Sequence, residues 1–383
     1  MSSRRSRGLS AAPGQAPGGD SPMKIAVLEH FSSRPPGTPG ADFVAEGRAM
    51  RDAVVADLLR LPDIAVVVVE RRGRFRKALR SADAALVIAP EEDGILARLC
   101  RAVEREGRIL LGPSSSAVHL LADKLATARC LAVAGVSTPK TEPVPFASAR
   151  RRLLAMPLPL VVKPRDGCGG RGVTVVRRAS EIGAALGSVR RATRRDDCLV
   201  QDYVAGDPAS VSIIASGGLI DFGLNRQRLL RGRTPTYLGG ETFWPHPRAE
   251  EAVAAARSAI EALSRARPGV RGHLGVDLVL GRSGATVIEV NPRLTTSYVG
   301  LRRSIRENLA GLILDAAAGR GLPEHVTPTG RCRFRADGST TMLTQAPSGG
   351  CAMGPGTRVG TRREGWAITS AGTSAASTSS SRN

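Results

Sequence analysis

Residues 287–300, VIEVNPRLTTSYVG, place a carboxylate, an amide and a guanidinium at every second position. Alternate side chains of an extended chain point to the same face, so Glu289, Asn291 and Arg293 share one face, and the apolar residues between them share the other. The first face therefore offers polar groups for binding or catalysis, and the second packs against the interior of the protein.

A second apolar run, residues 272–281, lies just upstream and contains one acid, Asp277. If residues 281–285 form a five-residue hairpin loop, Asp277 lies directly opposite Glu289, whereas a four-residue loop puts the two acids on opposite faces. Opposed like charges destabilise a sheet unless a cation lies between them. Oxygen ligands from Asp277, Glu289 and Asn291 therefore predict a Mg²⁺ or Mn²⁺ site shared with a phosphate.

The chain has 383 residues, 42% of them hydrophobic, and a formal net charge of +21. Its 55 basic residues are almost all arginine, which indicates a coding bias spread over the surface rather than a binding patch. Aromatic residues, at 3%, are too few for base stacking. We expect no specific nucleic-acid partner, although a basic nucleic-acid-binding protein remains the alternative of another class.

No apolar run approaches the length of a membrane span, and residues 1–22 lack the apolar segment of a secretory signal. We interpret residues 1–22 as a disordered extension, with Met23 a plausible start. The cysteines show no C-x-x-C pair and no zinc spacing, which is typical of free thiols in a reducing compartment. These features predict a cytoplasmic protein without a membrane partner. The cysteines are Cys100, Cys130, Cys168, Cys198, Cys332 and Cys351.

The order of apolar runs predicts a mixed α/β and α+β protein. Strand–helix alternation over residues 23–112 predicts a Rossmann-like domain with a parallel sheet. Residues 113–205 are predicted to form a small α+β subdomain with a glycine-rich flap. Residues 206–338 are predicted to form a C-terminal subdomain that contains the acidic hairpin, residues 272–291, and a long irregular stretch at 225–247. Residues 339–383 lack apolar periodicity and are predicted to be a disordered tail.

The run GCGGRG, residues 167–172, matches G-x-G-x-x-G literally. The dinucleotide fingerprint requires a helix after the loop, however, and here the β-type run VTVVRR follows. We therefore predict a flap between two antiparallel strands, whose backbone N–H groups close over phosphates. The alternative is a flexible hairpin without a ligand. The flap glycines are Gly167, Gly169, Gly170 and Gly172.

Two of the few lysines precede this loop. Lys163 lies on the strand that enters the flap, and Lys124 begins a helix one segment earlier. Either lysine alone is more often a solvated surface charge, but with the flap and the acid pair they predict a nucleoside triphosphate site. Residues 200–207, VQDYVAGD, offer strand-edge backbone groups to a flat base and a carboxylate, Asp207, to a ribose, although G-D after a strand is ordinarily a turn.

The order of these motifs, D-K, V-V-K-P with the flap, Q-D-Y-V-x-G-D, V-D-L and E-V-N-P-R, resembles the ATP-grasp superfamily of carboxylate–amine ligases. The resemblance runs from Lys24 to Leu322. In detail, APEEDG, LNRQ, YLGG and NPRLTTSYVGLR are similar to the tyramine–L-glutamate ligase group of methanofuran-type cofactor biosynthesis. His273 stands where that group is expected to have an aromatic residue, and this departure bears on the choice of acceptor amine.

The resemblance implies an ATP-grasp fold, in which two α+β units clamp ATP and the preceding Rossmann-like domain helps to form the substrate site. Lys124 and Lys163 would contact phosphates, and Arg293 would stabilise the transferring phosphoryl group and the oxyanion that follows, so that Lys163 and Arg293 are the catalytic pair. The adenine would lie against Gln201, Asp202, Tyr203 and Val204, the ribose against Asp207, and the metal against Asp277, Glu289 and Asn291.

The implied activity joins a carboxylate, such as that of L-glutamate, to an amine through an acyl phosphate, with release of ADP and phosphate. A D-alanine–D-alanine ligase-like or other peptide-forming enzyme is the alternative within the class. The expected partners are the small-molecule carboxylate and amine, and a homodimer is left open. Some polar residues keep two interpretations. Glu91 either contacts substrate or is an acid favoured by a helix dipole, and Asn225, Gln227 and the YLGG segment either contact substrate or form an irregular loop. Residues 295–298 either stabilise the oxyanion or cap the next helix.

Overall fold

The computed structural model describes residues 21–345, except residues 36, 39, 231, 233 and 234. The predictions for residues 1–20 and 346–383, and that for Cys351, lie outside the described residues. Cys100, Cys130, Cys168, Cys198 and Cys332 are unpaired, as predicted. Within residues 21–345, no helix has both the length and the apolar character that crossing a bilayer requires.

The first part of the chain is built on a four-stranded parallel sheet. Its strand order is β2-β1-β3-β4. Along β1, Ile25 and Val27 pack into one apolar cluster, and Ala26 and Leu28 pack into another on the opposite face. Both faces are covered, as a parallel sheet requires, and the Rossmann-like prediction is confirmed. The elements are β1 (Met23–Glu29), α1 (Val44–Leu58), β2 (Ile64–Val68), α2 (Phe75–Arg80), β3 (Ala84–Ile88), α3 (Ile95–Arg105) and β4 (Ile109–Leu110).

Two helices lead from this sheet to a second sheet of four antiparallel strands, with the order β5-β8-β6-β7. Val162 and Val200 face the helices that cover one side of this sheet. Lys163 and Gln201 alternate with them and therefore face the other side. The elements are α4 (Ser115–Ala122), α5 (Lys124–Val133), β5 (Thr141–Pro145), α6 (Phe146–Leu154), β6 (Leu160–Lys163), β7 (Thr174–Val176), α7 (Ile182–Ala192) and β8 (Asp197–Asp202).

The third sheet has seven strands, all antiparallel to their neighbours, in the order β13-β12-β9-β10-β11-β14-β15. One face packs on the long helix α8, which buries Val211, Val276 and Val290. The elements are β9 (Asp207–Ser216), β10 (Gly218–Leu230), β11 (Thr236–Glu241), α8 (Ala249–Ala266), β12 (Gly272–Gly281), β13 (Gly284–Asn291), α9 (Ser297–Leu301), α10 (Leu309–Ala317), β14 (Gly330–Arg335) and β15 (Thr340–Gln345).

Two predictions for this region are wrong. The stretch 225–247 is not irregular, because it holds the end of β10 and all of β11. Glycine is ordinarily depleted in strands, but a Cβ at Gly239 would lie 2.1 Å from the carbonyl oxygen of Phe334, so close strand approach requires glycine there. Residues 340–345 are not part of a disordered tail, since β15 pairs with β14. The remaining domain boundaries stay a prediction.

The acidic hairpin reaches the expected pairing by an unexpected route. Gly281 pairs with Gly284, so the loop has two residues rather than five. A regular hairpin with this turn would place Ile288 opposite Asp277, but a β-bulge leaves Ile288 unpaired, and Asp277 pairs with Glu289. The predicted pair is confirmed, and the predicted loop is wrong.

Candidate active site

A row of polar side chains crosses four strands of the seven-stranded sheet. Asn225 pairs with Ser210, Ser210 with Asp277, and Asp277 with Glu289, so these residues share one face, opposite the face that packs on α8. The amide of Asn225 is fully buried and makes no hydrogen bond to the described residues. The face of this sheet opposite α8 therefore carries polar groups in the interior, where packing alone would favour apolar groups.

The predicted metal ligands lie together and are linked by hydrogen bonds. Asp277 Oδ1 accepts from Gln227 Nε2 at 2.8 Å, and Oδ2 accepts from Asn291 Nδ2 at 3.1 Å. Among the described residues, no group of three or more His, Cys, Asp or Glu side chains could hold a metal. The predicted set is smaller, two carboxylates and an amide, and leaves coordination positions for phosphate and water.

Both predicted lysines reach this cluster. Lys124 begins α5, as predicted, and its Nζ lies 2.8 Å from Glu289 Oε2 and donates to the Gly167 carbonyl at 3.1 Å. The helix start is fixed by Asp123, whose side chain accepts from the N–H groups of Leu125 and Ala126. Lys163 is 3% exposed, and its side-chain ammonium makes no hydrogen bond or ion pair with the described residues.

Burial shifts the protonation of these groups in opposite directions. It lowers the pKa of Lys163 to about 8, with Glu289 opposing the shift and Lys124 adding to it. Burial and the neighbouring Glu289 raise the pKa of Asp277. Burial also opposes the ionisation of Glu289, but Lys124 and Lys163 outweigh it and hold the pKa of Glu289 well below its usual range. A cation beside the two carboxylates would favour their ionised forms and so offset the cost of burying them.

Arg293 is joined to the N-terminal part of the chain. Its Nε donates to Glu91 Oε1 at 2.8 Å, and its NH1 group donates to the Leu294 carbonyl at 3.2 Å. Glu91 is 3% exposed and follows β3. Burial lowers the pKa of Arg293, but Glu91 more than offsets this, and the pKa rises above its ordinary value. The pair fixes Arg293 beside the acidic hairpin.

The flap is a hairpin, as predicted, since β6 and β7 are antiparallel on either side of it. Gly169 has φ +62°, and a Cβ there would lie 2.4 Å from Phe43 Cε1. Asp166 Oδ2 accepts from the Asp93 N–H at 3.2 Å, and Arg171 NH1 lies 3.4 Å from Glu92 Oε2. The flap therefore rests on the N-terminal part of the chain, where substrates could be enclosed.

The residues predicted for adenine do not all turn towards the charged cluster. The Gln201 side chain is buried and donates to Thr141 Oγ1 at 2.8 Å. The Tyr203 ring lies under the Arg177 guanidinium, 4.8 Å from its carbon, and Val204 is half-buried. Recognition of a base by this segment would therefore rest on backbone groups.

Asp202 and Asp207 lie at the exposed margin of the same segment. The Asp202 N–H donates to the Lys140 carbonyl at 3.0 Å, and the Asp202 side chain is exposed. Asp207 Oδ2 lies 3.7 Å from His246 Nε2. Neither carboxylate forms a hydrogen bond or ion pair with Lys124, Lys163 or the acids Asp277 and Glu289. Contacts therefore give no direct support to the predicted roles of Asp202 and Asp207.

One acid beside these residues, Glu46, was not predicted. Thr296 Oγ1 donates to a Glu46 carboxylate oxygen, and the half-buried Tyr237 hydroxyl bonds with Thr296. Burial, Glu46 and Asp277 raise the pKa of Tyr237 well above its ordinary value. Glu46 lies on an amphipathic helix, where an acid gives no signal that separates it from a solvated charge. Thr296 makes no capping bond to α9, so the capping interpretation is wrong for it.

His273 packs as an aromatic ring. It is 3% exposed, lies 6.2 Å edge-on from the Tyr298 ring, and has Nδ1 3.1 Å from the Arg293 carbonyl oxygen. Burial lowers the pKa of His273 to about 4, although the bond to the Arg293 carbonyl opposes the shift. His273 is therefore a neutral ring that holds the Arg293 backbone in place through a hydrogen bond.

Comparisons with known proteins agree with this geometry. Residues 121–297 match the ATP-grasp domain, and residues 49–118 match the pre ATP-grasp 3 domain. The tyramine–L-glutamate ligase of Methanocaldococcus jannaschii is 28% identical over 69% of this chain and 74% of its own. That of Methanocaldococcus fervens is 30% identical over 61% and 66%.

The fold agrees as well. The crystal structure of D-alanine–D-alanine ligase from Bacillus anthracis is 16% identical, with a TM-score of 0.59, over 78% of this chain and 97% of that one. These matches leave no support for the alternative in which the nucleotide motifs are incidental. The chain belongs to the ATP-grasp superfamily and is an ATP-dependent carboxylate–amine ligase, near the tyramine–L-glutamate ligase group.

Proposed function

We propose that the enzyme activates the carboxylate of an amino acid, with L-glutamate the leading candidate, and joins it to an aromatic amine such as tyramine or tyrosine. The observation that carries this proposal is the cluster of Lys124, Lys163, Asp277 and Glu289. Four separate elements, α5, β6, β12 and β13, bring these charges together, and the buried Lys163 ammonium has no bonding partner among the described residues. The similarity to the two Methanocaldococcus ligases supports glutamate and tyramine as the first substrates to try.

Asp277, Glu289 and the Asn291 amide oxygen would hold Mg²⁺, with Mn²⁺ as the alternative. The donor set fits, because all three offer hard oxygen atoms. Burial, together with the neighbouring Glu289, raises the pKa of Asp277, and a bound cation would offset this cost of ionisation. Asn291 now donates to Asp277, so its amide would turn its oxygen to the cation. The cation would neutralise charge on the triphosphate.

Lys163 and Lys124 would hold phosphate oxygens, and the flap would close above them through backbone N–H groups. Lys124 already touches the flap at the Gly167 carbonyl. Gly169 and Gly170 adopt positive φ, which glycine permits without strain. Such a cover would exclude water, which would otherwise hydrolyse the acyl phosphate.

Arg293 would stabilise the negative charge that develops first on the phosphoryl group and then on the tetrahedral intermediate. Glu91 holds the guanidinium in place, so little reorganisation is needed when that charge appears. The incoming ammonium must lose a proton before it attacks. Glu46, beside Thr296 and Tyr237, is the carboxylate we assign to receive it.

The adenine would lie along the backbone of Gln201, Asp202, Tyr203 and Val204, with Asp207 towards the ribose. We keep the cytoplasm as the expected location and a second copy of the chain as a partner to be tested.

A coupled ADP-release assay tests the proposed function. We expect ADP only when ATP, L-glutamate and an amine are all present, with tyramine and tyrosine compared directly. The control pair is Glu289→Ala against Glu250→Ala, since Glu250 is an exposed acid on α8. ADP release with D-alanine alone would favour the D-alanine–D-alanine ligase-like alternative. ADP release without any amine would contradict ligation.

A further inference from the structure

A second group of basic residues lies at the carboxyl edge of the parallel sheet. It is outside the nucleotide cluster, our name for Lys124, Lys163, Asp277 and Glu289. His30 directly follows β1, Arg72 follows β2, and Arg98 lies on α3, which follows β3. Ligands of open parallel sheets bind at this edge. We call His30, Arg34, Arg72 and Arg98 the basic edge.

The loops that carry the basic edge are tied together by backbone bonds. The Arg72 N–H donates to the Ser33 carbonyl at 3.0 Å, and the Ser33 hydroxyl donates to the His30 carbonyl at 3.1 Å. The His30 N–H donates to the Ile88 carbonyl on β3 at 2.8 Å. The positions of His30 and Arg72 are therefore fixed relative to each other.

Two members of the basic edge lack partners. His30 is 1% exposed, and neither ring nitrogen bonds to a described residue. The half-buried Arg72 guanidinium forms no ion pair within the described part of the chain, and its charged neighbours are Arg34 and Arg98. The nearby Glu29 carboxylate is already bonded to the N–H groups of Phe31 and Ser32. An unpaired cation beside an unbonded imidazole is stabilised by an anion.

Burial, with Arg72 and Arg34 adding to it, lowers the pKa of His30 to about 4. The ring is therefore neutral at physiological pH and can donate one hydrogen bond to an anion without contributing charge. Arg72 supplies the charge. A single carboxylate matches these two donors in size and sign.

The basic edge adjoins the flap. The ring centroids of His30 and Phe31 lie 5.1 Å apart, and those of Phe31 and Phe43 lie 5.2 Å apart. Phe43 in turn contacts the flap at Gly169. An anion at the basic edge would therefore belong to a substrate enclosed beneath the flap.

We infer that the basic edge binds a second substrate carboxylate, one that is not phosphorylated. This inference rests on the proposed function and narrows it, because one substrate must then carry an anionic group besides the reacting carboxylate. Two sources have this chemistry, the α-carboxylate of a glutamate donor activated at its side chain, and the carboxylate of an amino-acid acceptor such as tyrosine. His30 and Arg72 act by binding and orienting that group.

Steady-state kinetics of Arg72→Ala, with Arg74→Ala as the matched control, separate the sources. Arg74 is an exposed neighbour on the same turn. The donor arm compares L-glutamate with 4-aminobutanoate, which lacks the α-carboxylate, and the acceptor arm compares tyrosine with tyramine. We expect Arg72→Ala to lower kcat/KM by about tenfold to a hundredfold for the carboxylate-bearing member of one pair and to spare its analogue.

An equal loss for both members of both pairs, or no loss at all, would overturn the inference while leaving the ligase activity standing. If the wild-type protein releases no ADP with any pair, the proposed function fails instead. Calorimetric titration with L-glutamate and with tyrosine then decides the inference alone. Binding that Arg72→Ala abolishes and Arg74→Ala keeps supports it, and binding that is equal in both variants, or no binding to the wild type, refutes it.

Discussion

Two buried charge networks in this enzyme differ in whether they are closed. In the structural cluster, Asp57 is 1% exposed and accepts from the Tyr298 hydroxyl at 2.8 Å and from Arg302 NH2 at 2.6 Å, while Asn308 donates to the Asp57 carbonyl at 2.8 Å. In the nucleotide cluster, the Lys163 ammonium has no bonding partner among the described residues, and burial with Glu289 raises the pKa of Asp277. We call the structural cluster closed, because the charged groups around Asp57 are bonded to one another. We call the nucleotide cluster open, because one of its ammonium groups has no partner.

The comparison separates stability from function. Both clusters join elements far apart in the chain, so both depend on the fold. Buried polar groups in proteins are ordinarily satisfied by partners, as those around Asp57 are. A network that keeps two lysines and two carboxylates together with one ammonium unbonded is suited to a ligand that brings its own charges, such as a nucleotide with its cation.

The largest expected effect comes from breaking the open cluster. Glu289→Ala should lower turnover by about a thousandfold, because it removes a cation ligand and the partner of Lys124. The melting temperature should fall less than in a variant of Asp57, because the Glu289 side chain is 24% exposed and the Asp57 side chain is 1% exposed. ADP release and thermal unfolding, measured together, check both parts. Near-normal turnover would contradict the assignment of Glu289.

Breaking the closed cluster should do the reverse. Asp57→Ala should reduce the free energy of unfolding by about 3–5 kcal/mol, because Arg302 and the Tyr298 hydroxyl lose their shared buried partner. Urea unfolding measures this. The folded fraction should keep its kcat, and a variant that is stable yet inactive would show that the two clusters are not separable in this way.

A smaller effect should follow the protonation of Lys163. The pKa of Lys163 is about 8 in the free protein, so its side chain is charged below pH 8 and loses its charge as the pH rises through that value. ATP affinity should therefore fall by up to about tenfold per pH unit above pH 8. Lys163→Met should bind ATP more weakly and lose this slope. A wild-type affinity that stays constant from pH 7 to pH 10 would contradict the role of Lys163.

The smallest effect should come from the flap. Gly169→Ala and Gly170→Ala both place a side chain at positive φ, but only Gly169 would drive a Cβ to 2.4 Å from Phe43. Gly169→Ala should therefore lower kcat by about tenfold more than Gly170→Ala, since about 1–3 kcal/mol of strain opposes flap closure. Equal kcat values for the two variants would show that contact with Phe43 is unimportant.

The sequence predicted the parts of the site that local patterns determine. Alternation placed Glu289, Asn291 and Arg293 on one face, glycines marked the flap, and Lys124 was placed at a helix start. The pair of Asp277 with Glu289 was predicted from an incorrect loop length, since a bulge at Ile288 compensates for the shorter turn and no residue in the strand signals it.

Contacts between distant segments were beyond local patterns. Glu91 and Arg293 were each noted, but their ion pair joins residues 202 positions apart. The adenine role of Gln201 stays a prediction that rests on its backbone, because its side chain bonds to Thr141. The strand β11 was missed because its glycines, which fit the close approach of β14, resemble a loop when the partner strand is unknown.

The central claim is that Asp277 and Glu289 together hold the cation of a bound nucleotide. Calorimetric titration of ATP with and without Mg²⁺ tests it most directly, in the wild-type protein and in an Asp277→Asn, Glu289→Gln double variant. The wild-type protein should bind ATP at least about tenfold more tightly with Mg²⁺, and the double variant should show no difference. Full dependence on Mg²⁺ in the double variant would contradict the claim.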